Sequence, residues 1–188
     1  PAIKSGPDAT QIKFEGKVEL RNVDFTYAHT GVKALKDFNL TIQPGQQIAV
    51  VGRRGSGKTT LAQLIMRMFD VDAGEVLIDG VDVRRLDLKA LREQVSYVPQ
   101  DGFLFSDTIA NNISFGAESR NPDQVKEAAR LAVIHGDIED FPNGYETEIG
   151  ERGVMLSGGQ KQRISIARAL MKDAPLLIMY DCLSAVHA

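Results

Sequence analysis

The stretch Ile48-Ala49-Val50-Val51-Gly52-Arg53-Arg54-Gly55-Ser56-Gly57-Lys58-Thr59-Thr60-Leu61 decides how the rest of the chain is read. Its first four residues are an apolar run, the composition of a central strand covered on both faces. After a glycine-rich loop, Leu61, Leu64, Ile65 and Met68 recur at helical spacing, which predicts a helix over 58–69 packed on a sheet. Between the two, Gly52 to Thr59 has the spacing Gly, four residues, Gly-Lys-Thr of a phosphate-binding P-loop. Each residue type has a chemical reason. Gly52, Gly55 and Gly57 let the backbone curl so that successive N–H groups, those of Arg53, Arg54, Ser56 and Thr60 among them, face phosphate oxygens. Lys58 adds a point charge for the β- and γ-phosphates, and the Thr59 hydroxyl is a ligand for Mg²⁺. The helix opening at Lys58 turns its positive end toward the same anion. A chance match somewhere in this length arises about once in a hundred sequences, and the strand before and helix after make chance rarer still. The stretch predicts a nucleotide-phosphate site.

Outward from the loop, strands and helices alternate. Val18 and Leu20 share one parity and Val23, Phe25 and Tyr27 the other, so a bulge or strand break is expected near Arg21-Asn22. Phe38, Leu40 and Ile42 alternate with polar residues in a half-buried strand ended by Pro44-Gly45. Val76 to Val83, with Asp79-Gly80 at its centre, reads as a hairpin. Val95 to Val98 is a strand stopped by Pro99, and Asn121-Pro122 opens a helix carrying Val125, Ala128, Ala129, Leu131 and Ala132. Pro142-Asn143-Gly144 is a turn, Ser157 to Met171 a helix, and Leu176 to Met179 a final buried strand. The class is α/β. Residues 1–13 lack apolar periodicity and read as a linker or tail.

Composition narrows the function. The chain has 188 residues, with 25 acidic and 22 basic side chains and a net charge of -3, which argues against a generic basic nucleic-acid binder. One cysteine, Cys182, excludes an internal disulfide framework and a multi-cysteine zinc site, and suits a reducing compartment. No apolar run approaches the roughly 20 residues of a membrane helix, and no signal-peptide pattern opens the chain. A soluble globular domain is expected. His29 and His135 lack ligand spacing and read as surface residues.

A second glycine-rich helix start lies at Leu156-Ser157-Gly158-Gly159-Gln160. Ser157 suits an N-cap, and Gly158-Gly159 leave the first amides uncovered; alone, the run is better explained by a plain helix cap. The longer run from Glu148 through Ala169 resembles the signature region of ATP-binding cassette (ABC) proteins. Other landmarks follow in that family's order. Phe25-Thr26-Tyr27 resembles the A-loop, Val98-Pro99-Gln100-Asp101 the Q-loop, and Leu104 to Ile109 with Asn112-Ile113 the stretch after it in exporters. Thr147 to Glu151 resembles the exporter contact loop before the signature. The resemblance covers residues 14–188 and is to exporter-type nucleotide-binding domains, whose membrane helices normally precede them in the same chain.

The resemblance implies a fold: a P-loop NTPase (RecA-like) core with a small antiparallel β part and an inserted helical subdomain. The core would be 14–100 and 165–188, and the helical signature subdomain 101–164. It implies ATP and Mg²⁺ as ligands, with Tyr27 stacking on adenine, although Tyr27 alone would also suit a strand end. Gln100 would touch Mg²⁺ or the attacking water and relay to the membrane part. Ser157, Gly158, Gly159 and Gln160 would close over ATP held by a second nucleotide-binding domain, in a head-to-tail dimer at the cytoplasmic face of a membrane. No nucleic-acid partner is implied. Arg53 and Arg54 sit in the loop, but a P-loop cradles phosphate with amides, so both are expected to face solvent. Family members usually carry a small residue at the place of Arg54.

The chain departs from the family at the hydrolytic strand. Counted from the signature and from Ser184-Ala185, Tyr180 occupies the place of the Mg²⁺-binding Asp, Asp181 that of the catalytic Glu, and His187 that of the last Asp of the D-loop. Tyr180 offers a phenol where the metal expects a carboxylate. Asp181 points to the opposite face of a strand and is one methylene shorter than Glu, yet remains the candidate base. The sequence stops at Ala188, before the family's γ-phosphate histidine, so a C-terminally truncated domain is expected. Two functions follow from these residues. One is the ATPase engine of an exporter; the other is an ATP-binding, hydrolysis-poor regulatory half of a heterodimer. A non-transport ABC ATPase fits the exporter-like runs less well.

Overall fold

The computed structural model describes residues 3–150 and 153–180. It divides into two compact units, Pro1–Val95 and Ser96–Ala188. The first unit is built on an antiparallel sheet in the order β2-β1-β3-β4, from β1 (Val18–Tyr27), β2 (Val32–Ile42), β3 (Ala73–Ile78) and β4 (Val81–Asp82). The parity switch in β1 is a bulge. Leu20 pairs with Leu40 and Val23 with Phe38, while Asn22 between them takes a left-handed φ of 48°. Asparagine tolerates that conformation, and its N–H donates to Asn39 Oδ1 at 2.9 Å. Val18, Leu20, Val23 and Phe25 are therefore all buried despite their opposite parities. The expected hairpin joins β3 to β4 through Asp79-Gly80, both at positive φ as a tight two-residue turn requires. Asp79 also accepts the N–H groups of Glu15 and Lys17 at 2.8 and 2.9 Å.

Helix α1 (Lys58–Ile65) follows the loop, and α2 (Leu88–Glu93) follows a 3-10 turn at Val83–Arg85. Residues 3–13 form neither helix nor strand apart from a bridge between Thr10 and Leu86. They are nonetheless held: Asp87 N–H donates to Thr10 O at 2.8 Å, and Gln94 Nε2–H to Ile12 O at 2.7 Å.

Two expectations for this unit are corrected. Ile48 to Val51 belongs to no strand, and Ile48, Val50 and Val51 are 42%, 47% and 91% exposed. An apolar run encodes a tendency to be covered, but a strand exists only where a neighbour completes its ladder, and no described strand pairs with these residues. The helix expected to reach Phe69 ends at Ile65, because Arg67 turns left-handed (φ 47°) and sends its guanidinium to Asp70 Oδ1 and Arg84 O. Met68 is thereby off the helix and 48% exposed.

The second unit holds α3 (Ile109–Ser114), α4 (Pro122–Leu131), α5 (His135–Glu139) and α6 (Gly158–Lys172). It also holds two short strand pairs, β6 (Asp107–Thr108) with β7 (Glu148–Ile149), and β5 (Val95–Val98) with β8 (Leu176–Met179). Ile109, Ile113, Val125, Ala129, Ile138, Ile164 and Ala167 form one core among the helices. Asn121 caps α4 as expected, accepting Asp123 N–H at 2.9 Å. Leu131, placed in that helix's apolar stripe, is 63% exposed; Val125, Ala128, Ala129 and Ala132 carry the buried face. Strand β8 has the expected bounds but not the expected burial, with Leu177 and Met179 at 41% and 46% exposure. His135 is not a plain surface residue: Nδ1 lies 2.7 Å from the Tyr145 hydroxyl, and burial pushes that phenol up to about 12. No described helix is long and apolar enough to cross a membrane.

The segment after β5 is fastened to α6 by buried polar contacts. Gln162, 1% exposed, donates from Nε2 to Pro99 O at 3.2 Å. Gly102 lies so close to α6 that a Cβ there would come within 2.7 Å of the Lys161 carbonyl carbon. Asn112 is 1% exposed and uses its whole amide: Oδ1 accepts Phe105 N–H and Arg168 Nη2–H at 2.8 Å each, and Nδ2 donates to Phe105 O at 3.0 Å. Arg168 adds donations to Asn112 O and Phe103 O at 2.7 and 2.8 Å.

Two outcomes follow from this architecture. Asn112→Ala strands a guanidinium nitrogen and two backbone groups, so urea denaturation is expected to show a loss of about 2–4 kcal/mol; a change below measurement error would refute the account. Several carboxyls are held below their ordinary value of 3.8: Asp24 by the Asp37 N–H, Asp87 by the Ala90 N–H, Asp107 by the Asn111 side chain. A depressed folded-state value means stability that is complete above the ordinary one and lost as pH falls below it. The thermal midpoint of the Asp87→Asn variant, which keeps a capping oxygen, should therefore fall less steeply below pH 4 than that of the unaltered chain.

Candidate nucleotide site

The loop from Gly52 to Gly57 reverses through Arg54-Gly55, with Ser56 N–H donating to Arg53 O at 3.1 Å. Gly55 and Gly57 sit at φ 81° and 88°, where other residues are strained. Gly57 has a second reason to be glycine: a Cβ would meet Ala34 O at 2.8 Å and the Leu35 side chain at 2.9 Å. The loop backbone thus rests directly on β2. Gly52, Arg53, Arg54, Gly55 and Ser56 are exposed, Lys58 and Thr59 half-buried, and Gly57 and Thr60 buried. Both arginines face solvent as expected.

Lys58 folds back over the loop, donating to Gly52 O at 2.6 Å and Arg53 O at 2.9 Å. Its charge is held beside the amides of the same turn. Helix α1 begins on Gly57 with no side-chain cap and no acidic residue in its first turn, so its first N–H groups remain available to an anion. The Thr59 hydroxyl makes no hydrogen bond among the described residues. A hydroxyl oxygen at this position suits Mg²⁺, which takes oxygen ligands.

Tyr27 ends β1 and is tied to the loop's helix, its hydroxyl lying 2.9 Å from Thr60 Oγ1 and donating to Gln63 Oε1 at 2.8 Å. Phe25, Phe69 and His29 meet the ring edge-on, with centroids 4.9, 5.5 and 5.6 Å away. The site brings Tyr27 and Thr60 together, and Gln63 joins them through a contact that sequence reasoning missed. The missing signal was helical spacing, since Gln63 follows Thr60 by one turn of α1.

In the second unit, Ser157 caps α6 as expected. Its Oγ accepts Gln160 N–H at 3.2 Å, while Gln160 Oε1 accepts Ser157 N–H at 3.0 Å, a reciprocal capping box. Ser157 and Gly158 are exposed. Gln100 is also exposed, on the bend after Pro99 that Gln162 fastens to α6. Tyr180 is half-buried, and its N–H donates to Val98 O at 2.9 Å. Asp181, Cys182, Ser184, Ala185 and His187 lie outside the described residues. No group of three or more His, Cys, Asp or Glu side chains forms a metal cluster among the described residues.

Known proteins resemble this chain in both sequence and fold. It is 49% identical to the ATP-dependent lipid A-core flippase of Escherichia coli K12 over 95% of its length, and equally to that of Shigella flexneri. It spans about a third of those relatives, 32% of their length. A bacterial Atm1-family ABC exporter solved with ATP bound matches 98% of this chain and 33% of its own, at a TM-score of 0.91 and 38% identity. The sequence model of the family described as ABC transporter matches residues 35–184. With the P-loop, the capped signature helix and these likenesses together, the chain belongs to the ABC transporter family, as a nucleotide-binding domain of the exporter type.

Proposed function

We propose that this chain binds and hydrolyses ATP to drive transmembrane export, with residues 14–100 and 165–188 as its ATP-binding core and 101–164 as its signature subdomain. The observation that carries the reading is the P-loop: glycine turns at positive φ, Lys58 held over them, and an uncapped helix start directly behind. The loop amides and Lys58 hold the β- and γ-phosphates, and Tyr27 stacks on adenine while its hydroxyl steadies α1. Mg²⁺, when bound, neutralises charge on the phosphate oxygens; Thr59 and Gln100 are the residues that would hold it. Asp181 takes the proton of the attacking water as its oxygen bonds to the γ-phosphorus and the bond to the bridging oxygen breaks. Ser157, Gly158 and Gly159 contact ATP held by a second nucleotide-binding domain, and closure of the pair moves membrane helices at the cytoplasmic face. The named activity of the relatives, ATP-dependent flipping of lipid A-core, supports export as the work done.

Tyr180 and Asp181 favour a second reading, that this chain is the hydrolysis-poor half of a heterodimer. A phenol in place of the metal-facing carboxylate removes a negative charge from the Mg²⁺ site, and binding needs that charge less than turnover does.

Calorimetric titration is expected to give MgATP binding that Lys58→Ala weakens about tenfold or more, the loss of a charge-assisted contact; equal affinity would remove the P-loop from the account. Under the second reading, phosphate-release assays should find little turnover in the unaltered chain and more in Tyr180→Asp. Equal rates would mean Tyr180 does not limit the site, and brisk turnover in both would leave the first reading alone.

A further inference from the structure

Asp137 lies in the one-turn helix α5, and nothing in the spacing of the signature motif points to it. Its Oδ2 accepts Gln160 Nε2–H at 3.1 Å and Arg163 Nη2–H at 2.9 Å, both from the first turns of α6. Gln160 is thereby engaged at both ends of its amide, with Oε1 on Ser157 N–H at 3.0 Å and Nε2 on Asp137. A glutamine amide presents a donor and an acceptor that a simple rotation exchanges. A carboxylate only accepts, so Asp137 admits Nε2 and rejects Oε1. The Ser157 N–H, which only donates, selects the same orientation from the other end, so the two contacts reinforce one another and close the capping box. Arg163 strengthens the arrangement, since its Nη2 is anchored on the same Asp137 oxygen at 2.9 Å.

We propose that Asp137 is a positioning residue for the signature turn: by admitting a single orientation of the Gln160 amide, it holds Ser157-Gly158-Gly159 with their outward N–H groups set for an anionic ligand. The inference rests on the reading that this turn receives the phosphates of ATP bound to a second copy or a related domain. Asp137 itself touches no ligand in this scheme.

The test uses Asp137→Asn, which keeps the shape but accepts and donates alike, together with Asp137→Ala. In NMR hydrogen exchange on the whole chain, the Ser157 N–H is expected to exchange about tenfold faster in both variants, the effect of losing one charge-assisted bond. The Ala129 and Ile164 N–H groups in the core should keep their rates. Unchanged exchange at Ser157, or equal acceleration at all three, overturns the proposal, since the first denies positioning and the second means general loosening. A second measurement follows ATP-dependent dimerisation by sedimentation, with Ser157→Ala as control. Asp137→Asn should weaken dimerisation about tenfold while leaving MgATP affinity of the monomer unchanged. Dimerisation that needs Ser157 but ignores Asp137→Asn also overturns the proposal. If the unaltered chain does not dimerise with ATP, the second-copy reading fails instead, and the exchange rates alone decide the role of Asp137.

Discussion

The second unit depends on the fastening of residues 99–112 to helix α6. Gln162, Gly102, Asn112 and Arg168 make it, and each meets a backbone group or a buried amide rather than solvent. Buried polar groups are costly unless all are satisfied. A network in which Asn112 uses both ends of its amide and Arg168 each of its three side-chain nitrogens therefore has one arrangement and resists others. It sets the bend that carries Gln100 and the helix that begins at Ser157 on the same scaffold. The exposed bend at Gln100 is then held through Gln162 and Asn112, which are themselves buried.

The first unit solves a related problem differently. A loop that offers amides to an anion can spend few of them on itself, here the Ser56 N–H on Arg53 O, so most of its shape has to come from elsewhere. Here the glycine torsions, the close approach of Gly57 to β2, and Lys58 bonded across the turn supply it. Tyr27 adds a tether from β1 to α1 through Thr60 and Gln63. The Tyr27 ring is thus bonded to the helix that opens directly behind the P-loop. In the second unit, Asp137 acts on Gln160 in the same spirit, engaging the nitrogen end of an amide whose oxygen the capping box already holds.

Much of this was legible in residue order. The bulge at Asn22, the Asp79-Gly80 hairpin, strand Val95–Val98, the Asn121-Pro122 helix start and the Ser157 cap all follow from local rules that need only near neighbours. The candidate site was legible for the same reason, since P-loop and signature are contiguous runs. Burial was less so. Ile48 to Val51, Leu177 and Met179 are apolar and were expected inside, yet each is substantially exposed. The pattern of a segment says which face seeks cover, not whether another element arrives to provide it.

Chemistry belonging to contiguous residues was therefore settled by the chain's order: a phosphate loop, a capped glycine start, a phenol at Tyr180 where a carboxylate is usual. Long-range partnerships were not. Asp137 with Gln160 and Arg163, Asn112 with Arg168, and Tyr27 with Gln63 join residues separated by 23 to 56 positions. No periodicity reports such pairs, because a side chain's partner is set by how elements pack after they form. Hydrogen bonds between distant side chains became visible only once the folded backbone placed donor and acceptor about 3 Å apart.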